Sequence, residues 1–334
     1  MPKAVVLHKH PQGSIQESDF AVVDMPMPQI KDGFFITHNR VISLDAGFRA
    51  WMSAGAGDNY LQGMQLGEPV QSIVLGEVIE SANELYPVGT MVNARTAWET
   101  YSVLDGSDLC APLQPADDLP LAEYMATLGP TGMTAWIGFF TIGQPKPDDV
   151  VVVSAAGGAV GTVVGQLAKH LGCRTVGLTS SADKAQWLTD SVGFDVAISR
   201  EADPNLTLAL RREVPEGIDI FFDNVGGAVL NEAMGHLAEN ARLVLCGAIS
   251  QYEAHPEAVT NCWELVTKRA RMEGFMFSDY AHQFPEILAE LEQRLRNETL
   301  RGFDQQYLGI EQTAQAFCDM MHGRSRGKCL VVLE

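Results

Sequence analysis

The sequence predicts an α/β fold, in which a doubly wound parallel sheet is accompanied by a smaller, mostly β domain. Two observations predict it. An apolar strand, Val150–Ser154, runs through a glycine turn into a helical pattern. Later apolar strands, each of which closes on Gly, Asp or Asn, alternate with helical patterns. The residues ahead of this region instead show short alternating runs separated by turns, which is typical of a small β domain.

The first part of the chain carries the β pattern. Strands are predicted at Phe34–Val41 and Ser72–Ile79, separated from their neighbours by Gly- and Pro-containing turns. A proline-containing connection, Pro112–Pro120, follows them. The pattern then predicts a helical stretch over Leu121–Phe140 that leads into the sheet.

The glycine turn has the spacing G-x-G-x-x-G with one replacement. Ala156 takes the first glycine's place, Gly158 and Gly161 keep the other two, and Ala159 and Val160 lie between them. A helix that begins here offers N–H groups and its positive dipole end to a pyrophosphate. The motif alone also fits a turn that merely packs a strand closely against a helix. Strands that follow at βαβ spacing favour dinucleotide binding. They are predicted at Arg174–Leu178, Val196–Ser199, Ile218–Phe222 and Arg242–Cys246.

The residues after the next two strands favour NADP over NAD. An NAD site places an Asp or Glu about 20 residues after the turn, where it binds the adenine ribose 2′-hydroxyl. Here the strand instead ends in Thr179 and Ser180. Lys184 follows, and Arg200 comes just after the next strand. Hydroxyl groups and two cations suit a phosphate, which a carboxylate would repel. The alternative, that Ser180 and Ser181 cap a helix and Lys184 is solvated, does not exclude phosphate binding.

Composition indicates two globular domains and limits the partners. The 334 residues are too many for one small core, and 46% hydrophobic with 19% charged residues is far from a disordered composition. The net charge of −19 disfavours nucleic acid and anionic membranes, so we expect neither as a partner. An anionic cofactor then needs local cations, which adds weight to Lys184 and Arg200. The six cysteines show no spacing of a disulfide framework, so we expect a reducing, cytoplasmic location. No run is long enough for a membrane span and no secretory signal is recognised.

The C-terminal part predicts two helices and a strand. The helices are expected at Phe284–Asn297 and Thr313–Met321, and the strand at Lys328–Leu333.

Five segments carry a resemblance to a known family. They are Leu128–Trp136, Ala155–Gly161, Phe222–Gly227, Cys246–Tyr252 and Gly274–Tyr280. Nearly the whole chain resembles the medium-chain dehydrogenase/reductase superfamily, and more closely its zinc-free, NADP-dependent double-bond reductases, which include prostaglandin, alkenal and curcumin-type reductases. The chain departs from that branch in three places: Asp45–Arg49, Arg200 in place of a tyrosine, and Gly323–Lys328, where Ser325 replaces an asparagine.

The resemblance implies a domain organisation. A Rossmann dinucleotide-binding domain is expected at 123–297, and a GroES-like, β-rich substrate domain at 1–122. The segment 298–334 is expected to complete the GroES-like domain, with the last strand joining its sheet. The resemblance also implies a homodimer formed through the sheet edge of the cofactor domain.

The resemblance further implies cofactor contacts beyond the glycine turn and the phosphate site. They are Thr134, Asn224, Cys246, Ala248, Ser250, Phe275, Phe277 and Ser325. Alternatives stay open for two of these residues. Asn224 also fits a turn ahead of two glycines, and the hydroxyl of Thr134 also fits a hydrogen bond back to its own helix.

No metal is expected. The six cysteines form no C-x-x-C pair, the histidines show no ligand spacing, and Leu75–Glu77 lies where zinc-dependent relatives carry Gly-His-Glu. Without a Lewis acid, hydride from NADPH must go to an electrophile that needs little activation. The β-carbon of an α,β-unsaturated ketone or aldehyde is such a centre, and negative charge then develops on the carbonyl oxygen.

A donor that stays protonated at neutral pH must stabilise that oxygen, and tyrosine, with a pKa near 10, fits. Tyr252 is the first candidate for the catalytic donor because it follows a strand's carboxyl end, near the expected nicotinamide. The alternative is that Tyr252 only packs against the cofactor and shapes the pocket. Tyr280 and Tyr60 are further candidates.

The sequence therefore predicts an NADP-dependent oxidoreductase that reduces the C=C bond of small-molecule enones and enals. Two alternatives remain. One is a zinc-free quinone or carbonyl reductase on the same scaffold, and the other is a cofactor-binding protein with a sensing role and little turnover.

Overall fold

The computed structural model describes residues 1–58, 61–253 and 257–333. The strands of this part are β1 (Lys3–Leu7), β2 (Phe20–Asp24), β3 (Phe35–Leu44), β4 (Gln71–Ser81), β5 (Met91–Ala97), β6 (Tyr101–Leu104), β7 (Ala111–Leu113), β8 (Val150–Val153), β9 (Arg174–Thr179), β10 (Val196–Ser199), β11 (Ile218–Asp223), β12 (Leu237–Leu245), β13 (Arg271–Gly274), β14 (Asp304–Leu308) and β15 (Lys328–Val332). The α-helices are α1 (Pro130–Trp136), α2 (Ala159–Leu171), α3 (Ala182–Trp187), α4 (Leu206–Glu213), α5 (Gly227–Met234), α6 (Trp263–Thr267), α7 (Phe284–Arg296) and α8 (Thr313–Met321). Shorter 3₁₀ and π-helical turns connect several of them.

Six of these strands form a parallel sheet in the order β10-β9-β8-β11-β12-β13. Numbered along the chain, this is the strand order 3-2-1-4-5-6 of a Rossmann sheet, and it reverses between β8 and β11. All four valines of β8 are buried, as expected for a strand covered on both faces. The predicted doubly wound parallel sheet is confirmed.

A second sheet is antiparallel and has the order β14-β15-β3-β4-β5-β7, with β6 also paired to β3. β1 and β2 form a separate hairpin. The core beside them contains Trp98 and Phe317, whose ring centroids are 5.2 Å apart, and Phe20 packs on both rings. The smaller, mostly β domain is confirmed, and its sheet includes the last strand, β15, as the resemblance implied.

The chain divides into two compact units. The β-rich unit comprises Met1–Met125, Asp304–Ser325 and Cys329–Glu334, and the sheet unit comprises Ala126–Phe303 and Arg326–Lys328. The expected domain bounds, 1–122 with 298–334 and 123–297, stay a prediction.

The helical stretch expected over Leu121–Phe140 is divided into separate helical segments. A 3₁₀ turn covers Leu121–Tyr124, α1 begins only at Pro130, and π-helical turns continue to Ile142. Pro130 has no N–H and a fixed φ, so it suits the first position of a helix and not its interior. Among the described residues, no helix is long and apolar enough to cross a membrane.

Candidate active site

The glycine turn connects β8 to α2 at the carboxyl edge of the sheet, beside the strand-order reversal. The N–H of Ala156 donates to the Leu178 carbonyl of β9 (3.0 Å), and the N–H of Gly158 donates to the Ala155 carbonyl (2.9 Å). A Cβ on Gly161 would lie 2.6 Å from both the Ala155 oxygen and the Ala156 Cα. Only glycine permits this close packing of helix on strand, which is the role of the motif's third glycine.

The first turn of α2 contains Ala159, Val160 and Gly161, with Gly158 as the residue that precedes the helix. The first four N–H groups of a helix have no acceptor within it, and the dipole of a 13-residue helix adds positive charge at this end. This end of α2 can therefore bind an anion such as a pyrophosphate.

A buried carboxylate joins the ends of β8 and β11. Asp223 is fully buried, accepts a hydrogen bond from the Ser154 hydroxyl (2.7 Å), and also accepts from the N–H groups of Val225 (3.0 Å) and Gly226 (3.0 Å). Burial raises the pKa of Asp223, against the opposing effect of these donors. The carboxylate fixes the loop that follows β11.

Asn224 belongs to the same network. Its backbone N–H donates to the Ser154 hydroxyl oxygen and its side-chain amide donates to the Ser154 carbonyl, both at 2.7 Å. The structure thus shows the turn role that the sequence left open for Asn224. Its contact with a nicotinamide stays a prediction.

The loop after β12 lies against the loop after β11. The N–H groups of Cys246 and Gly247 both donate to the Asp223 carbonyl, at 2.8 and 3.1 Å. The Ser250 hydroxyl and backbone N–H both donate to the Val225 carbonyl, at 2.7 and 3.1 Å. Burial raises the pKa of Cys246 to about 12, so its sulfur remains a thiol at neutral pH.

Tyr252 folds back over this loop. The N–H of Ala248 donates to its phenol oxygen (3.1 Å), which leaves the phenol hydrogen available to a second partner. Burial raises the pKa of Tyr252 above its usual value, although the bond from Ala248 opposes that shift. A phenol in this setting is a neutral hydrogen-bond donor at physiological pH.

The loops after β9 and β10 form the other side of the site. The N–H of Arg200 donates to the Thr179 carbonyl (3.0 Å), and the N–H of Glu201 donates to the Ser180 carbonyl (3.2 Å). Ser181 precedes α3 and its hydroxyl accepts from the Lys184 N–H (3.4 Å), so the capping role expected for this serine pair is found at Ser181.

Lys184 is buried and turned towards the glycine turn. Only 9% of it is exposed, and its Cδ lies 3.5 Å from the point that a Cβ on Gly157 would occupy. The alternative of a solvated Lys184 is wrong, because the side chain crosses from α3 to the turn.

Relatives cover the whole chain. A family described as "N-terminal domain of oxidoreductase" matches residues 3–111, and one described as "Zinc-binding dehydrogenase" matches residues 159–293. The 2-alkenal reductase (NADP(+)-dependent) of Nicotiana tabacum is 34% identical over 335 residues, covering 99% of this chain and 97% of that protein. The (+)-pulegone reductase of Mentha piperita is 32% identical over 339 residues, covering 100% and 98%.

The chain belongs to the medium-chain dehydrogenase/reductase superfamily, in its double-bond reductase branch. A solved structure agrees: CurA from Vibrio vulnificus in complex with NADPH superimposes with a TM-score of 0.91 at 32% identity, covering 99% of each chain. The predicted resemblance is confirmed.

The other predicted cofactor contacts of this chain lie outside the glycine turn in the sequence. The hydroxyl of Thr134 donates to the Pro130 carbonyl of its own helix (2.7 Å), which is the alternative left open for it. The Phe275 ring packs against Gly138, where a Cβ would lie only 2.7 Å from the ring. The Phe277 ring stacks on the Phe284 ring, with the ring centroids 5.7 Å apart. Ser325 is buried and belongs to the β-rich unit, and Tyr60 lies outside the described residues.

In the described ranges 1–58, 61–253 and 257–333, no group of three or more His, Cys, Asp or Glu side chains could hold a metal ion. The expected absence of zinc stays a prediction.

Two groups at this site were not predicted from the sequence. The Glu201 carboxylate accepts from the N–H of Ala182 (3.0 Å), which places an acid beside the predicted phosphate site. The guanidinium of Arg326 lies over the Trp187 ring, with its Cζ 5.6 Å from the centroid. No local pattern signals either contact, because each joins residues from separate segments of the chain.

Proposed function

We propose that this chain is an NADPH-dependent oxidoreductase that reduces the C=C bond of α,β-unsaturated ketones and aldehydes. The observation that carries the proposal is the full-length similarity to proteins named 2-alkenal reductase and (+)-pulegone reductase, combined with the half-buried, neutral phenol of Tyr252 in the loop that follows β12. Both features match a reaction that adds hydride to carbon and places negative charge on a distant oxygen.

The residues of the sheet unit fit NADPH. Gly161 permits the close turn, the first turn of α2 offers N–H groups, and Lys184 lies beside Gly157 where a 2′-phosphate would need a cation. The residues of this unit that we propose to hold the cofactor are Thr134, Ala156, Gly158, Ala159, Val160, Gly161, Thr179, Ser180, Lys184, Arg200, Asn224, Cys246, Ala248, Ser250, Phe275 and Phe277. The contact of Ser325, a residue of the β-rich unit, stays a prediction from the resemblance.

When bound, NADPH supplies the hydride that adds to the β-carbon of the substrate. Tyr252 then donates its phenol hydrogen in a hydrogen bond to the substrate oxygen, where the negative charge of the enolate develops. The bond from Ala248 fixes the phenol oxygen, so the donor is oriented before the substrate arrives. Solvent or a relay supplies the proton that the α-carbon takes up.

We propose that the enzyme needs no zinc and acts in the cytoplasm. The support for a zinc-free reaction is the lack of zinc-ligand spacing among the cysteines and histidines of the sequence. The support for the location is the cysteine pattern: the six cysteines show no spacing of a disulfide framework, and all six are reduced thiols in the structure, as expected in a reducing compartment.

We also propose a homodimer that pairs two copies through β13, the edge strand of the parallel sheet. An unpaired edge can add a strand from a second copy, and two apolar side chains of the neighbouring α6 are exposed, Trp263 by 70% and Val266 by 61%.

The test is NADPH consumption with a panel of simple enones, enals and quinones, followed by identification of the product. We expect turnover of enones or enals with saturation of the C=C bond and an intact carbonyl. Faster turnover of quinones, or reduction of the carbonyl itself, would favour the quinone or carbonyl reductase. Binding of NADPH without turnover of any member would favour the sensing role.

A further inference from the structure

The carboxylate of Glu201 lies where a Rossmann sheet recognises the adenine ribose. Glu201 follows β10, and its Oε2 accepts a hydrogen bond from the N–H of Ala182 (3.0 Å). Ala182 is the first residue of α3 and comes shortly after the end of β9, the second strand of this sheet along the chain. An NAD site carries its ribose-binding acid at the end of that strand, about 20 residues after the glycine turn. Glu201 therefore brings an acid to that place from the loop after the neighbouring strand.

The main chain holds this carboxylate in position. The N–H of Glu201 donates to the Ser180 carbonyl (3.2 Å) and also to the Ser199 hydroxyl oxygen (3.2 Å). Glu201 is thus joined to the loop after β9 at two points, by its main chain at Ser180 and by its side chain at Ala182. Its side chain is exposed, and a carboxylate accepts more than one hydrogen bond. The group can therefore bind Ala182 and a ligand hydroxyl at the same time.

The charges at this place act differently on the two nicotinamide nucleotides. Lys184 and Arg200 supply the positive charge that a 2′-phosphate needs. Glu201 directly follows Arg200 in the chain and carries the opposite charge in the same loop. A carboxylate accepts a hydrogen bond from a ribose 2′-hydroxyl, but it repels a phosphate on the same carbon atom. The site therefore combines cations that favour NADPH with an acid that favours NADH.

We propose that Glu201 is a specificity residue of the cofactor site, which lowers the preference of the chain for NADPH over NADH. Its carboxylate accepts a hydrogen bond from the adenine ribose of NADH and repels the 2′-phosphate of NADPH. The chain then binds both nucleotides, whereas a site with cations alone would select the phosphorylated one. This inference rests on the proposed function, because it assumes that a nicotinamide dinucleotide occupies the glycine turn.

The experiment is calorimetric titration of the full chain with NADPH, NADH, 2′,5′-ADP and 5′-AMP. For Glu201→Gln we expect the affinity for NADPH and 2′,5′-ADP to rise about fivefold, because a charge repulsion is removed. Affinity for NADH and 5′-AMP should fall about threefold, because an amide oxygen is a weaker acceptor than a carboxylate. The glutamine keeps an oxygen for the Ala182 N–H, so the loop stays in place. Glu201→Lys reverses the charge and should raise the affinity for 2′,5′-ADP further.

Glu216→Gln is the matched control. It removes the same charge just before β11, where Glu216 pairs with Arg174, the first residue of β9, at 3.5 Å. This pair lies at the amino edge of the sheet, opposite the glycine turn, so the control should change none of the four affinities.

Two results for Glu201→Gln would overturn the inference and leave the proposed function intact. One is an unchanged ratio of NADPH affinity to NADH affinity, and the other is a change of both affinities in the same direction. A wild-type chain that binds NADPH but not NADH would also overturn the inference. A wild-type chain that binds none of these nucleotides would overturn the proposed function itself.

Discussion

Among single residues, Tyr252 has the surroundings that a neutral donor needs. Its phenol oxygen is held by Ala248 and its pKa lies above the usual value because it is buried. We expect Tyr252→Phe to lower kcat with the best enone about a hundredfold, the usual loss when one donor to a developing oxyanion is removed. Affinity for NADPH should be unchanged. Steady-state kinetics with a calorimetric titration measure both quantities.

Tyr101→Phe is the control for that substitution. Tyr101 stacks on His38 in the β-rich unit, with centroids 4.8 Å apart, and its variant should keep the wild-type rate. Full activity of Tyr252→Phe would show that this phenol shapes the pocket without supplying the donor.

The pH dependence of kcat follows from the raised pKa of Tyr252. A phenol with a raised pKa stays protonated at every pH below its usual value of about 10, so it donates throughout the neutral range. The kcat of the wild type should therefore show no loss due to Tyr252 between about pH 6 and 9, and fall only at more alkaline pH. A titration near neutrality that disappears in Tyr252→Phe would contradict this assignment.

The sequence predicted which types of residue lie at the proposed phosphate site but not how their side chains are oriented. Thr179, Ser180, Lys184 and Arg200 follow strand ends, which local patterns can identify. The burial of Lys184 against Gly157 and the position of Arg326 on Trp187 depend on contacts between distant segments. Such contacts leave no periodic signal in a single sequence, so the sequence could not reveal them.

At the scale of elements, the close contact of β8 with α2 is the most restrictive feature. Gly161→Ala would place a methyl group 2.6 Å from two backbone atoms, so the helix must shift away from the turn. We expect a destabilisation of about 1–3 kcal/mol and a large loss of NADPH affinity. Thermal unfolding and calorimetry measure these effects.

Gly274→Ala is the stability control, since the nearest atom to its Cβ would lie at an ordinary 3.9 Å. Its melting temperature should match that of the wild type. Wild-type stability of Gly161→Ala would mean that the strand and the helix are less tightly packed than the structure shows.

The strands of the parallel sheet were predicted well, because a strand buried on both faces forms a continuous apolar run in the sequence. The helical stretch 121–140 was predicted without its interruption, because apolar spacing does not indicate the break at which Gly129 and Pro130 begin a new helix. The local backbone restriction of proline outweighed the hydrophobic periodicity there.

At the scale of the whole molecule, the exposed apolar side chains of α6 next to β13 bear on assembly. We expect Trp263→Asp to convert the proposed dimer to a monomer, because a buried carboxylate would lack a partner in the interface. Light scattering after size-exclusion chromatography measures the mass.

Leu85→Asp is the matched control, since Leu85 is 79% exposed in a turn of the β-rich unit, whereas β13 belongs to the sheet unit. It should leave the mass unchanged. A wild-type monomer, or a dimer that persists in Trp263→Asp, would rule out this interface.

The carboxylate of Asp223 has a consequence for local unfolding. It accepts from the Ser154 hydroxyl and from the N–H groups of Val225 and Gly226 at once, so neither loop can open without breaking bonds to the other. The amide hydrogens of these two turns should therefore exchange with solvent as one cooperative unit, as slowly as those of the central strands. A binding edge that ordinarily consists of independent loops would then behave as part of the core.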